Sequence, residues 1–162
     1  ALGATRFLSK PFDPKVMVAV VTELLANPTP AKSVAEPAVG PVEVLLVEHD
    51  LLTARIIEHR LSRAGFSVRQ FVSGSTAWAA ARSIAPGVAL LDALSPGIDG
   101  IELANRLRTL PGYSRIPILV LSEIGSEREV VRALAAGADD CIRKPVSPTE
   151  LVARIERLLT RR

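Results

Sequence analysis

Asp92 ends the apolar run Val88-Ala89-Leu90-Leu91 and is followed by Ser95-Pro96-Gly97-Ile98-Asp99-Gly100. A second apolar run, Ile116 to Leu121, ends in Ser122, and a third, Cys141-Ile142, leads to Lys144-Pro145. A carboxylate, a hydroxyl and an ammonium therefore each stand at the C-terminal tip of a strand-like segment. In an open parallel α/β sheet those tips converge on one crevice, where such folds bind ligands. Gathered there, the three side chains supply an acceptor, a hydrogen-bond donor and a counter-charge for one phosphoryl group. Taken singly, each has a plainer reading: a turn-capping Asp, a strand-end Ser, an exposed Lys-Pro loop. The inference rests on all three in order.

The elements that must position them follow from periodicity. Strands are predicted at 43–47, 67–71, 88–91, 117–121 and 140–142, and helices at 51–64, 75–83, 99–109, 126–136 and 148–161. Five βα units imply an α/β fold with a parallel sheet covered by helices on both faces. Ser147-Pro148-Thr149-Glu150 reads as a capping box with Pro at the first helical position. Gly65 and Gly137 follow the first and fourth helices, where a left-handed residue is wanted. Asp99-Gly100 reads as turn and helix-start chemistry. His59 and Trp78 fall on predicted helices as surface or packing residues, and Cys141 reads as a small buried hydrophobe.

Composition narrows the classes. The chain has 162 residues, 48% hydrophobic and only 4% aromatic, so its core must be aliphatic. No window approaches the roughly 18 unbroken apolar residues of a membrane span. A single Cys excludes an internal disulfide and fits a reducing, cytoplasmic compartment. The net charge of +3 comes from Arg residues scattered among acids, without a basic stripe carrying aromatics, so direct nucleic-acid binding by these residues is not expected.

Residues 28–42 hold four prolines and no apolar period, the mark of a semi-extended linker. Ahead of it, residues 1–27 repeat the end of the chain: Gly3-Ala4 recurs as Gly137-Ala138, Lys10-Pro11 as Lys144-Pro145, and Pro14 as Pro148. This common offset is one domain plus one linker. Residues 1–27 therefore read as the last strand and helix of an upstream copy, and residues 43–162 as a complete domain. The chain starts without Met inside apparently folded sequence, so a natural N-terminus is expected further upstream. The helix at 14–26 is apolar around most of its circumference and should dock on a neighbour or fray.

Over residues 43–162 the chain resembles the receiver domain of two-component response regulators, a CheY-like family. The matching residues are Leu45-Leu46-Val47-Glu48, then Leu90-Leu91-Asp92 with Pro96-Gly97-Ile98-Asp99-Gly100, then Leu121-Ser122, and Gly137-Ala138-Asp139-Asp140 with Lys144-Pro145. Ser122 and Lys144 lie at the family's usual spacings from Asp92. The resemblance implies a flavodoxin-like (βα)5 three-layer sandwich with strand order 2-1-3-4-5, preceded by a strand-helix remnant of a second receiver. It further implies that Asp92 accepts a phosphoryl group from a histidine kinase or phosphotransfer protein, assisted by Lys144 and Ser122. Mg²⁺ would be held by Glu48, Asp92 and the carbonyl of Leu94. Such a domain is a signalling module and not an enzyme.

Several residues depart from that pattern. His49 stands where the family usually has a second acid, and an imidazole replaces a carboxylate poorly for hard Mg²⁺. Glu123 replaces a small residue beside Ser122, and Cys141 replaces an aromatic that Phe7 keeps in the upstream copy. The last helix looks like that of OmpR/PhoB-type receivers, which dimerise through the fourth helix, fifth strand and fifth helix. By that likeness Asp140 and Arg154 would form a cross-dimer ion pair, with Glu150 at the same interface and Val130 where a basic partner often stands. The competing function is a degenerate receiver, acting as a phosphorylation-independent docking or dimerisation module. A phosphohydrolase using Asp92 is disfavoured, because such enzymes commonly carry a second Asp where this chain has Leu94.

Overall fold

Alternation along five short strands sets the layers. The structure, a computed structural model, describes residues 41–161. In chain order it contains β1 (Glu43–Val47), α1 (Leu51–Arg63), β2 (Ser67–Phe71), α2 (Gly74–Ala80), β3 (Val88–Asp92), α3 (Gly100–Arg108), β4 (Ile118–Ser122), α4 (Glu127–Ala135), β5 (Asp140–Arg143) and α5 (Pro148–Leu159). All four strand pairings are parallel, in the order β2-β1-β3-β4-β5. This is the flavodoxin-like order the resemblance implied. The residues expected to form the upstream remnant, and most of the linker, lie outside the described residues.

Val44 and Leu46 of β1 pack with Ala54, Ile57 and Leu61 of α1 and with Leu151 and Ile155 of α5. Leu45 and Val47 point the other way, into a cluster with Ala77 of α2, Leu103, Ala104 and Leu107 of α3, and Ala133 of α4. The central strands β3 and β4 are buried along their whole length, which is why they read as unbroken apolar runs. Both end one residue later than periodicity indicates, so that Asp92 and Ser122 are themselves the last residues of their strands.

Short polar side chains start four helices. Asp50, Ser73, Asp99 and Ser126 accept the amides of Thr53, Thr76, Glu102 and Glu129. The expected capping box on α5 does not form. Ser147 is at the N-cap position but its hydroxyl makes no capping bond, and the Glu150 carboxylate takes Arg154 instead. Pro148 at the first turn has already removed one orphan amide, which lowers the demand for a cap. The helix predicted at 75–83 leaves α geometry at Ala80 and finishes as a 3-10 turn, Ala81–Ser83. Gly65 and Gly137 adopt φ of +88° and +98°, as their places after α1 and α4 required.

Arg108, at the end of α3, ties this helix to the segments around it. Its guanidinium donates to the carbonyls of Gly137 (2.8 Å), Tyr113 (2.6 Å) and Ile116 (2.8 Å) and to Asp139 (2.7 Å). Removing a largely buried cation with that many partners strands carbonyls away from water. Arg108→Ala should therefore lower unfolding free energy by about 2–3 kcal/mol, and Arg108→Lys should recover little because an ammonium cannot span the fork. Urea denaturation showing a loss under about 0.5 kcal/mol for either variant would contradict this.

Candidate functional site

The C-terminal ends of β1, β3 and β5 meet in one charged pocket. β3 delivers Asp92, whose side chain is almost wholly buried. Its Oδ1 accepts from Lys144 Nζ at 3.0 Å and from the amide of Leu94 at 3.2 Å. Its Oδ2 accepts a hydrogen bond from His49 Nδ1. Glu48, the first residue after β1, is fully buried and stands 2.6 Å from Lys144 Nζ, off the line of a hydrogen bond, so the contact is a charge pairing. Its other oxygen accepts the amide of Asp50 at 3.1 Å and lies 3.6 Å from His49 Nδ1. Lys144 thus bridges two buried carboxylates, and His49, 41% exposed, forms the solvent-facing wall.

The balance of charge sets the protonation states. Burial alone would push the Asp92 carboxyl up, but the Lys144 ammonium, the Leu94 amide and the His49 ring bring it below the ordinary carboxylate range. Burial would lower Lys144, and its pairing with Glu48 and Asp92 raises it above the usual lysine value instead. At neutral pH the pocket holds the Asp92 carboxylate next to a firmly charged ammonium.

Backbone packing fixes Asp92 in place. Gly100, the first residue of α3, approaches so closely that a Cβ there would sit 2.5 Å from the Asp92 carbonyl oxygen. In the sequence Asp99-Gly100 reads as turn chemistry. Asp99 does cap α3, but Gly100 also permits the helix to abut the strand that carries Asp92. Gly100→Ala should push β3 and α3 apart and weaken any reaction of Asp92 without touching a charged group. Melting temperature and Asp92 reactivity should fall together, and a variant matching the parent in both would refute the point.

Of the expected residues, Glu48, His49, Asp92 and Lys144 come together, and single ligand atoms of Glu48, His49 and Asp92 lie within 4.8 Å of one another. Leu94 reaches Asp92 through its amide. Asp50 turns outward to cap α1. Glu123 is exposed and lines a cleft with Lys144, Pro145 and Ile56. Ser122 makes its contacts elsewhere. Although buried at the tip of β4, its hydroxyl donates to Glu129 of α4 and accepts the amides of Ile124 (3.2 Å) and Gly125 (2.9 Å), leaving Asp92 alone. Glu129 was not anticipated. Its signal in the sequence is Ser126-Glu127-Arg128-Glu129, which by pattern alone is a capping box.

Asp140, Glu150 and Arg154 are joined within one chain. Arg154 donates to Asp140 at 2.7 Å and to Glu150 at 2.7 and 2.9 Å. Within this chain α5 follows β5 closely enough for Arg154 to reach back to Asp140, the residue with which it is expected to pair across a dimer. Cys141 is half-buried, where full burial was expected. Burial, together with the nearby Glu129 and Asp140 carboxylates, pushes its thiol up. His59 is exposed and Trp78 packs partly on the core, as foreseen. Among the described residues no helix is long and apolar enough to cross a membrane.

A parallel sheet in this order, with an Asp, a Lys and a Ser at its tips, defines a class that the comparisons name. Residues 44–156 match the response regulator receiver domain, and the chain belongs to that family. The phosphate regulon transcriptional regulatory protein PhoB of Rhizobium meliloti (strain 1021) is 38% identical over 119 residues, 74% of this chain and 52% of PhoB. Protein RcaC of Microchaete diplosiphon is 31% identical over 159 residues, 98% of this chain and 23% of RcaC. The chain thus spans about half the length of PhoB and less than a quarter of RcaC. Among solved structures, the receiver domain of sensor histidine kinase PA1611 from Pseudomonas aeruginosa PAO1 superposes with a TM-score of 0.69 at 27% identity. That comparison covers 74% of this chain and 98% of the other, whose active site cleft coordinates a magnesium ion.

Proposed function

We propose that Asp92 takes a phosphoryl group from a phosphohistidine on a partner kinase or phosphotransfer protein. The observation that carries this reading is the buried Asp92 carboxylate at the tip of β3 with Lys144 Nζ 3.0 Å from one oxygen. A carboxylate is a weak nucleophile, so the site must position it and neutralise charge on the transferring group. One Asp92 oxygen attacks phosphorus, and the P–N bond of the donor breaks with its electron pair passing to that nitrogen. The donor ring leaves as neutral imidazole with a proton from solvent, and an acyl phosphate remains on Asp92. Lys144 keeps its charge throughout and moves from carboxylate to phosphoryl oxygen.

The family implies Mg²⁺ in this pocket, and the residues present fit it poorly. Both buried carboxylates are already paired with Lys144, and the third donor is an imidazole hydrogen-bonded to Asp92. Mg²⁺ demands oxygen ligands in near-octahedral array. Phosphoryl transfer here therefore leans on Lys144 and the Leu94 amide.

The domain reads as the second of two receivers in a longer regulator, with residues 1–27 closing the first and 28–42 linking them. The internal repeat supports this, as does the RcaC match extending over nearly the whole chain where PhoB stops at 119 residues. A homodimer through α4, β5 and α5 would rest on exposed Val131 and Leu134, since exposed ion pairs contribute only about 0–1 kcal/mol each.

A second reading, a docking module that never carries phosphate, draws support from one observation: His49 already occupies the Asp92 oxygen opposite Lys144. Incubation with a small phosphodonor and a divalent cation, followed by intact mass, separates the two. A single added phosphoryl group that disappears in Asp92→Asn supports phosphotransfer. No addition in the parent, with addition restored in His49→Asp, supports the docking module.

A further inference from the structure

We propose that Glu129 is a positioning residue that holds the Ser122 hydroxyl away from Asp92, so that phosphorylation must first break a Ser122–Glu129 latch. This rests on the phosphoacceptor reading of Asp92. A serine hydroxyl has a single proton to donate, and here it goes to the Glu129 carboxylate. The oxygen is meanwhile fixed by the amides of Ile124 and Gly125. Gly125 also donates to Glu129 at 3.1 Å, closing a three-membered network of Ser122, Gly125 and Glu129.

The local sequence shows that this placement is a diversion. Ser126-Glu127-Arg128-Glu129 should form a capping box, in which the carboxylate turns back to the Ser126 amide. Only half of it forms: Ser126 accepts the Glu129 amide, while the Glu129 side chain reaches across to the tip of β4. Burial raises the Cys141 thiol on β5, and the same carboxylate adds to that shift. The Glu129 side chain therefore ties the start of α4 to the tip of β4. Hydrogen bonds to an ionised acceptor are roughly twice as strong as neutral ones, so a phosphoryl group competes with an established partner for the same proton.

The experiment compares the parent, Glu129→Gln, Glu129→Ala, Ser122→Ala and the Glu129→Ala/Ser122→Ala double variant, each in the His49 and His49→Asp backgrounds. Phosphorylation by acetyl phosphate with Mg²⁺ is followed by intact mass, and the Ile124 and Gly125 amides by NMR without phosphodonor. Glu129→Ala should raise steady-state phosphorylation of Asp92 about tenfold, the scale of one charge-assisted hydrogen bond. Glu129→Gln should fall between, and Ser122→Ala should erase the gain. A structural role alone would not make the gain depend on Ser122. Equal phosphorylation of parent and Glu129→Ala, or a gain that survives in the double variant, overturns the latch. If no variant in either background carries phosphate on Asp92, the phosphoacceptor reading falls instead. The amides then decide the latch separately: shifted in Glu129→Ala it stands as a resting contact, superimposed on the parent it does not.

Discussion

Exchanging His49 for Asp should raise the affinity of the pocket for Mg²⁺ by about 10–100-fold, the range seen when a metal site gains or loses a supporting partner. The physical argument is the donor set. His49 places a nitrogen and a hydrogen bond on Asp92 Oδ2, where a hard cation requires an oxygen and an open lone pair. An Asp at the same place adds a third carboxylate, frees Oδ2 and raises local negative charge. His49→Ala frees Oδ2 without adding a ligand and should gain much less. Isothermal titration calorimetry with MgCl₂ on the three proteins measures this directly. Equal affinity in parent and His49→Asp would show that the imidazole is no obstacle.

Lys144→Met is the second large effect. Lys144 is the cation shared by Glu48 at 2.6 Å and Asp92 at 3.0 Å, both buried. Its removal leaves two buried carboxylates without their shared cation, a situation that costs about 3–5 kcal/mol when one partner of a buried pair is lost. A pH response should appear where the parent has none. In the parent, Asp92 is depressed, so its contribution is complete above the ordinary carboxylate pKa and disappears as pH falls through the lower folded value. Lys144 is raised, so its contribution is complete below the ordinary lysine pKa and disappears as pH climbs through the higher folded value. Between those limits the pair gives no slope. In Lys144→Met one carboxylate holds a proton more tightly folded than unfolded, so stability should rise as pH falls from neutrality toward the carboxylate range. Urea midpoints at several pH values test this, and a variant whose midpoint stays flat or falls on mild acidification would refute it.

The strands and helices were legible because their pattern was simple. β3 and β4 announced themselves as unbroken apolar runs since both faces of a central parallel strand are covered. Asp92 and Lys144 were legible because strand ends fix where side chains go. Ser122 was found, but the direction of its hydroxyl was not. A hydroxyl rotor answers to whichever acceptor is nearest, and the nearest is Glu129, seven residues on and across an element boundary. Glu129 itself was hidden behind a helix-start pattern that explains it adequately in one dimension. Gly100 was undervalued for a related reason: a close backbone approach leaves no periodic trace. The Asp140–Arg154 pair, legible only by likeness as a link between copies, also closes within one chain, because the connection from β5 to α5 is short.

The central claim concerns a single atom, so the decisive measurement locates a single modification. The protein is treated with acetyl phosphate and a divalent cation, reduced with borohydride to convert any aspartyl phosphate to homoserine, digested and sequenced by tandem mass spectrometry. The account predicts homoserine at position 92 and nowhere else, more abundant in His49→Asp than in the parent. Homoserine absent from position 92 in both proteins, or found at a different acidic residue, would contradict it.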